Sequence, residues 1–148
     1  MSERIFNSSI KIFAAMILAL LATHSWIIHV SGYYFYPWID IPMHFWGGMT
    51  TGMFFIWLFY YSGRLAYPNF SRPILLLLVI SFGALIGVGW EFFEFSFDTL
   101  IAQRTHWPSA QLGIRDTMSD LLMDLLGAAF VGIIFISSKV CRTINIQS

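Results

Sequence analysis

Four apolar runs alternate with short polar or aromatic breaks along the chain. The first run follows Arg4 and Lys11 and continues through Trp26, Ile27, Ile28 and Val30. It is too long for the apolar region of a signal peptide and no small-x-small cleavage site closes it, so the pattern predicts a retained helix over about 12–31. Tyr33 to Pro42 is aromatic and broken by prolines, which forbids one continuous helix and suits the lipid–water interface. Pro42 then opens a second helix over about 42–62, with Asp40 just before it and His44 in its first turn. A turn containing Gly63, Arg64, Pro68 and Arg72 leads to a third helix over about 73–97. A polar loop over about 99–115, with Gln103, Arg104, His106, Pro108, Gln111 and Gly113, separates it from a fourth helix over about 116–138, which Lys139 and Arg142 stop.

The expected fold class is therefore an all-α membrane protein, a bundle of four transmembrane helices forming one integral membrane domain over residues 1–148. Composition agrees: 57% of residues are hydrophobic, 11% are charged, and the mean hydropathy is +0.71, outside the range of ordinary soluble domains. The single cysteine, Cys141, excludes an intrachain disulfide and any multi-cysteine metal site. Lys and Arg are scattered, so nothing points to nucleic acid; the partner the composition demands is the lipid bilayer. Four short helices bury little on their own, which leaves room for a homo-oligomer through the aromatic faces.

Charge sets the expected orientation. Arg4, Lys11, Arg64, Arg72, Lys139 and Arg142 fall on the side of the termini and the second-to-third turn, against Arg104 and Arg115 opposite. The positive-inside rule then puts both termini in the cytoplasm. Of the acids, Glu3 alone is cytoplasmic; Asp40, Glu91, Glu94, Asp98, Asp116, Asp120 and Asp124 belong to the outer half, joined by His24, His29, His44 and His106.

The acids are spaced to share faces. At about 100° per residue, Glu91 and Glu94 lie about 60° apart and Asp98 returns to within about 20° of Glu91. Asp116, Asp120 and Asp124, spaced i, i+4, i+8, drift only about 80°. Small residues continue the same stripes: Gly48 and Gly52 after His44, Gly87 and Gly83 before Glu91, Ala128 and Gly132 after Asp124. Such stripes let helices approach closely, so the bundle is expected to be tight in its inner half and to open into a polar pocket in its outer half. Buried carboxylates at this depth need cations, shared protons or arginine partners. The expected ligand set is His44, Glu91, Glu94, Asp120 and Asp124, for a divalent Mg²⁺, Mn²⁺, Fe²⁺ or Zn²⁺. Asp98 and Asp116 are expected nearer the mouth. Blander readings stand beside this: Asp40 and Asp116 as first-turn caps, His24 and His29 as packing or interfacial groups, and Tyr33, Tyr34, Tyr36, Trp38, Trp107, Tyr60, Tyr61 and Tyr67 as interface anchors. No familiar metal motif such as His-Glu-x-x-His is present.

Asp40-Ile-Pro-Met-His44-Phe-Trp-Gly-Gly48, Gly89-Trp-Glu91-Phe-Phe-Glu94 and Asp116-Thr-Met-Ser-Asp120-Leu-Leu-Met-Asp124-Leu-Leu-Gly127 together resemble the pattern of small VanZ-like and YjdF-like bacterial membrane proteins, over roughly residues 40–132. The match transfers onto Asp40, His44, Glu91, Asp120 and Asp124. The chain departs from the VanZ-like pattern with Asp124 in place of Asn and Glu94 in place of Gln, which brings it nearer the YjdF-like type. The VanZ-like group is linked to glycopeptide resistance without an agreed activity, so the resemblance implies a membrane protein of this kind and no reaction.

Three function classes remain open. The first is a metal-dependent hydrolase or transferase acting at the outer leaflet on a lipid-linked phosphate, with His44, Glu91 and Asp120 catalytic and Asp40, Asp98, Arg104, Arg115 and Asp116 on the substrate side. The second is a cation, proton or metal transport protein, and the third a non-catalytic scaffold or binding protein.

Overall fold

The computed structural model describes residues 3–62, 70–105 and 107–138, excepting the side chains of 3–7 and Ser9. It is all-helical, with no strand among the described residues. Four long helices order the chain: α1 (Glu3–His29), α2 (Asp40–Ile56), α3 (Arg72–Phe97) and α4 (Ile114–Ser137). Stretches of α1, of α3 with its extension, and of α4 are long and apolar enough to cross a membrane: Ile10–His29, Arg72–Thr105 and Ile114–Ser137. The α2 helix is shorter and continues as a π-helical turn, Trp57–Tyr61.

Several boundaries differ from the sequence-based expectation: α1 begins at Glu3 rather than near residue 12, and α2 begins at Asp40 and gives way to a π turn at Trp57. The third helix does not stop near residue 97; it passes through a π turn at Asp98–Ala102 and ends at Gln103–Thr105, which shortens the polar loop. Polar residues at a membrane surface extend a helix as readily as they end one, because water satisfies their side chains without unwinding the backbone. The Tyr33–Pro42 stretch is broken as expected, yet not irregular: a helical turn at Gly32–Phe35 is followed by a 3-10 turn at Pro37–Ile39. Ser31, with φ 55°, makes the left-handed joint between α1 and that turn.

The α2, α3 and α4 helices pack against one another, while α1 leans mainly on α2 and its π turn. Only 6% of the α1 span is buried, against 33% of α4. Close approach follows the small residues. A Cβ on Gly127 would overlap the Phe45 carbonyl oxygen, one on Gly83 would come within 2.6 Å of Ala128 Cβ, and one on Gly52 would lie 3.2 Å from Ala128 Cα. Between apolar helices in lipid the attraction is van der Waals contact, so these missing side chains are what admit the contact.

At one end, called here the apolar end, Phe55, Ile56, Tyr60, Leu75, Val79 and Phe135 form the core. Tyr60 was expected at the interface; it is buried in this core with its ring 5.2 Å from that of Phe135. Arg64, Tyr67, His106, Lys139, Cys141 and Arg142, and the side chain of Arg4, lie outside the described residues.

Candidate metal centre

The other end, the acidic end, is built by the same three helices one or two turns further along. His44 on α2, Glu91 and Glu94 on α3, and Asp120 and Asp124 on α4 are all buried. Asp40, in the first turn of α2, is largely covered as well. The helical spacing explains the meeting: Gly48, four residues from His44, faces the Asp124 backbone, and Gly87, four residues from Glu91, faces the Asp124 carboxylate. Each small residue brings its helix close, and the acid one turn away is thereby drawn into the same space.

His44 is the hub. Its Nδ1 lies 3.2 Å from Asp124 Oδ2 and its Nε2 lies 3.7 Å from Asp40 Oδ1. Two groups of side chains bring donor atoms within 4.8 Å of one another: Asp40, His44 and Asp120, and His44, Glu91 and Glu94. Atoms around one divalent ion, each at about 2.0–2.6 Å, are separated by no more than about this distance. Asp124, expected as a ligand, falls in neither group, and Asp40, expected on the substrate side, falls in one.

Neutral donors hold some of the carboxylates. Trp90 Nε1 donates to Glu94 Oε1 at 3.0 Å. Gln111 Nε2 donates to Glu91 Oε2 at 3.0 Å and to Thr117 Oγ1 at 2.9 Å. Asp98 and Asp116 fasten the outer connection: Asp98 accepts from the Ala110 and Gln111 amides at 2.8 and 3.0 Å, and Asp116 from the Leu112 amide at 2.9 Å. The shared face of Glu91 and Asp98 is visible here, since both bond to Gln111. Glu91 Oε1 and Asp120 Oδ1 are buried with no hydrogen-bond partner among the described residues. Arg104 and Arg115 are exposed, and the ion pairs of the acids among the described residues are both with His44.

The first helix reaches the cluster through rings. Tyr33 Oη and His24 Nδ1 share a hydrogen bond of 2.8 Å, and the His24 ring stands edge-on to Trp90 at 5.7 Å. Burial, reinforced by the Asp40 and Glu94 carboxylates, raises the Tyr33 hydroxyl above the usual phenol range and keeps it protonated. His29 packs beside Trp26, in keeping with an interfacial role.

Gln111, Trp90, Tyr33 and His24 were not singled out for the site by sequence. For Trp90 a local signal existed, because position i of an i, i+4 pair with Glu94 can place a donor on an acid. Gln111 and Tyr33 act across the fold, and no periodicity encodes that.

With this geometry in view, a family model described as "Predicted membrane protein (DUF2238)" matches residues 5–139, nearly the whole chain. The chain belongs to that family. Its apolar helices accordingly place it in association with a lipid bilayer. No curated protein and no solved structure matches it.

Proposed function

We propose that this DUF2238 member is a divalent-metal-binding protein of the bacterial inner membrane, acting as a hydrolase or transferase on a lipid-linked, phosphate-containing envelope substrate. The observation that carries the reading is the pair of orphaned buried oxygens, Glu91 Oε1 and Asp120 Oδ1, in a cluster that no Lys or Arg neutralises among the described residues. A buried polar atom without a partner costs about 1–3 kcal/mol, and more when charged. Coordination removes that cost and the mutual repulsion of the acids together.

A bound ion supplies a polarised phosphoryl oxygen and a water of lowered pKa. The chain's own residues do the rest: His44, Glu91, Glu94 and Asp120 hold the ion, Tyr33 keeps a proton at the edge of the cluster, and the exposed Arg104 and Arg115 meet phosphate at the surface. In this reading α2 with its π turn is a fourth span, both termini are cytoplasmic, and the acidic end faces outward. The Asp40–His44, Glu91 and Asp120–Asp124 pattern supports kinship with the YjdF-like and VanZ-like proteins, without importing glycopeptide resistance. A transport path would have to cross the apolar end, where Gly52, Val79 and Ala128 are in contact, and this weighs against the second class.

Metal analysis of the purified full chain tests the proposal. Wild type is expected to carry divalent metal in stoichiometric amount, and Glu91→Gln and Asp120→Asn to lose most of it. Folded wild-type protein that takes up no divalent metal would overturn the reading.

A further inference from the structure

Both donor groups contain His44, and an imidazole has only two nitrogens. One of them, Nδ1, is engaged by Asp124 Oδ2 at 3.2 Å. The other, Nε2, lies 3.7 Å from Asp40 Oδ1, too far for a hydrogen bond. The two groups therefore share this one imidazole, and with Nδ1 engaged Nε2 is the nitrogen left for a ligand. Each group includes one residue with an orphaned oxygen among the described residues, Asp120 (Oδ1) in the first and Glu91 (Oε1) in the second, only 1% and 6% exposed. These atoms point to a ligand independently of the clustering of charge.

We infer that the site takes a single divalent ion of the Mn²⁺ or Fe²⁺ class through His44 Nε2, Glu91 and Asp120, with Asp124 outside the coordination sphere as the residue that positions the imidazole. The inference rests on the metal-binding reading above and narrows it. The ion class follows from the donors: one imidazole nitrogen among carboxylate oxygens is harder than a zinc site and softer than a magnesium site. Asp124 acts as carboxylates behind metal-bound histidines do, accepting a hydrogen bond from Nδ1–H and so fixing the tautomer that leaves Nε2 free to bind. Its place is held from both sides, by Gly87, whose Cβ would overlap its carboxylate, and by Gly47, whose Cβ would lie 3.5 Å from it. Asp40 from the first group and Glu94 from the second complete the shell, Glu94 with one oxygen already tied to Trp90.

The test is Mn²⁺ binding to the full chain in detergent, followed by loss of the free-ion electron paramagnetic resonance signal. Pulsed measurements on protein carrying ¹⁵N-labelled histidine supply the second readout. Expected are one ion per chain and coupling to one directly bound imidazole nitrogen. Glu91→Gln and Asp120→Asn lose the ion. Asp124→Asn, of nearly identical shape, keeps one ion and the same imidazole coupling while binding about 10–100-fold more weakly. Two ions per wild-type chain, absence of imidazole coupling, or loss at Asp124→Asn equal to that at Glu91→Gln would each overturn the inference. Two ions would leave the metal-binding proposal standing, whereas no ion in folded wild type would end both. Should Asp124→Asn fail to fold, the wild-type ion count and coupling still decide.

Discussion

The acidic and apolar ends use the same three helices and the same four-residue step, yet bury opposite chemistry. Val79, Gly83, Gly87 and Glu91 lie on one stripe of α3, and the first is fully enclosed by apolar side chains while the last has a buried oxygen with no hydrogen-bond partner among the described residues. Burial alone therefore does not make a core. At the apolar end each contact is satisfied by shape, and at the acidic end shape brings together groups that shape cannot satisfy. The dividing level is the contact of Gly48 and Gly127 across α2 and α4, where backbone meets backbone.

The sharpest way to break the comparison is to force those backbones apart. Any Cβ on Gly127 would overlap the Phe45 carbonyl oxygen and lie 2.8 Å from the Met49 nitrogen, and backbone atoms in a helix have nowhere to turn. Gly127→Val is expected to abolish both ends together, giving no monodisperse helical protein by size exclusion and circular dichroism. One turn nearer the acids the damage is more selective. Gly87→Ala drives a methyl into the Asp124 carboxylate, which is short and cannot swing far from His44. A stability loss of about 1–3 kcal/mol is expected, with weakened Mn²⁺ binding beside it; unchanged binding would show that Asp124 does not matter to the imidazole.

These positions were legible in the sequence because helix packing is periodic: Gly48, Gly52, Gly83, Gly87, Ala128 and Gly132 stood in step with His44, Glu91 and Asp124, and the structure places them at the contacts. The acids that share a face were legible for the same reason. What periodicity cannot carry is the choice among acids. Asp98 and Asp116 continue the acidic stripes, yet both oxygens of Asp98 and Oδ2 of Asp116 accept from loop amides, because the connection between α3 and α4 folds back over them. Gln111 and Tyr33 enter the cluster from segments with no helical register to extrapolate, and the extension of α3 to Thr105 was hidden by its polar residues.

A cavity at the apolar end probes the other half of the comparison. Val79 is fully buried against the Phe55–Phe135 core, and Val79→Ala removes two methyl groups from it. In water such a truncation loses transfer free energy and leaves a void; in lipid the transfer part largely vanishes, because hydrocarbon also solvates the unfolded helix. About 1 kcal/mol is expected from the lost packing, measured by denaturant titration in mixed micelles. Metal content should stay at the wild-type value, since nothing at the acidic end moves. A fall in metal content would mean that the two ends are mechanically coupled.

The smallest effect is expected two residues from Gly87, and its smallness is informative. Gly89 has nothing within 4 Å of the position its Cβ would take, so Gly89→Ala meets open space on the outer face of α3. Alanine is favoured over glycine in a helix by about 0.8–1.0 kcal/mol in water, and less where lipid neighbours already restrain the backbone. The variant should be equal to or slightly more stable than wild type and bind metal identically, in contrast to Gly87→Ala on the same helix. That contrast separates two explanations of a glycine-rich acidic helix. If flexibility of α3 served the site, stiffening at Gly89 would disturb binding; if glycine serves only to let Asp124 approach, Gly87 alone is sensitive. The packing favours the second, because a Cβ on Gly87 would overlap the Asp124 carboxylate and one on Gly89 would meet open space.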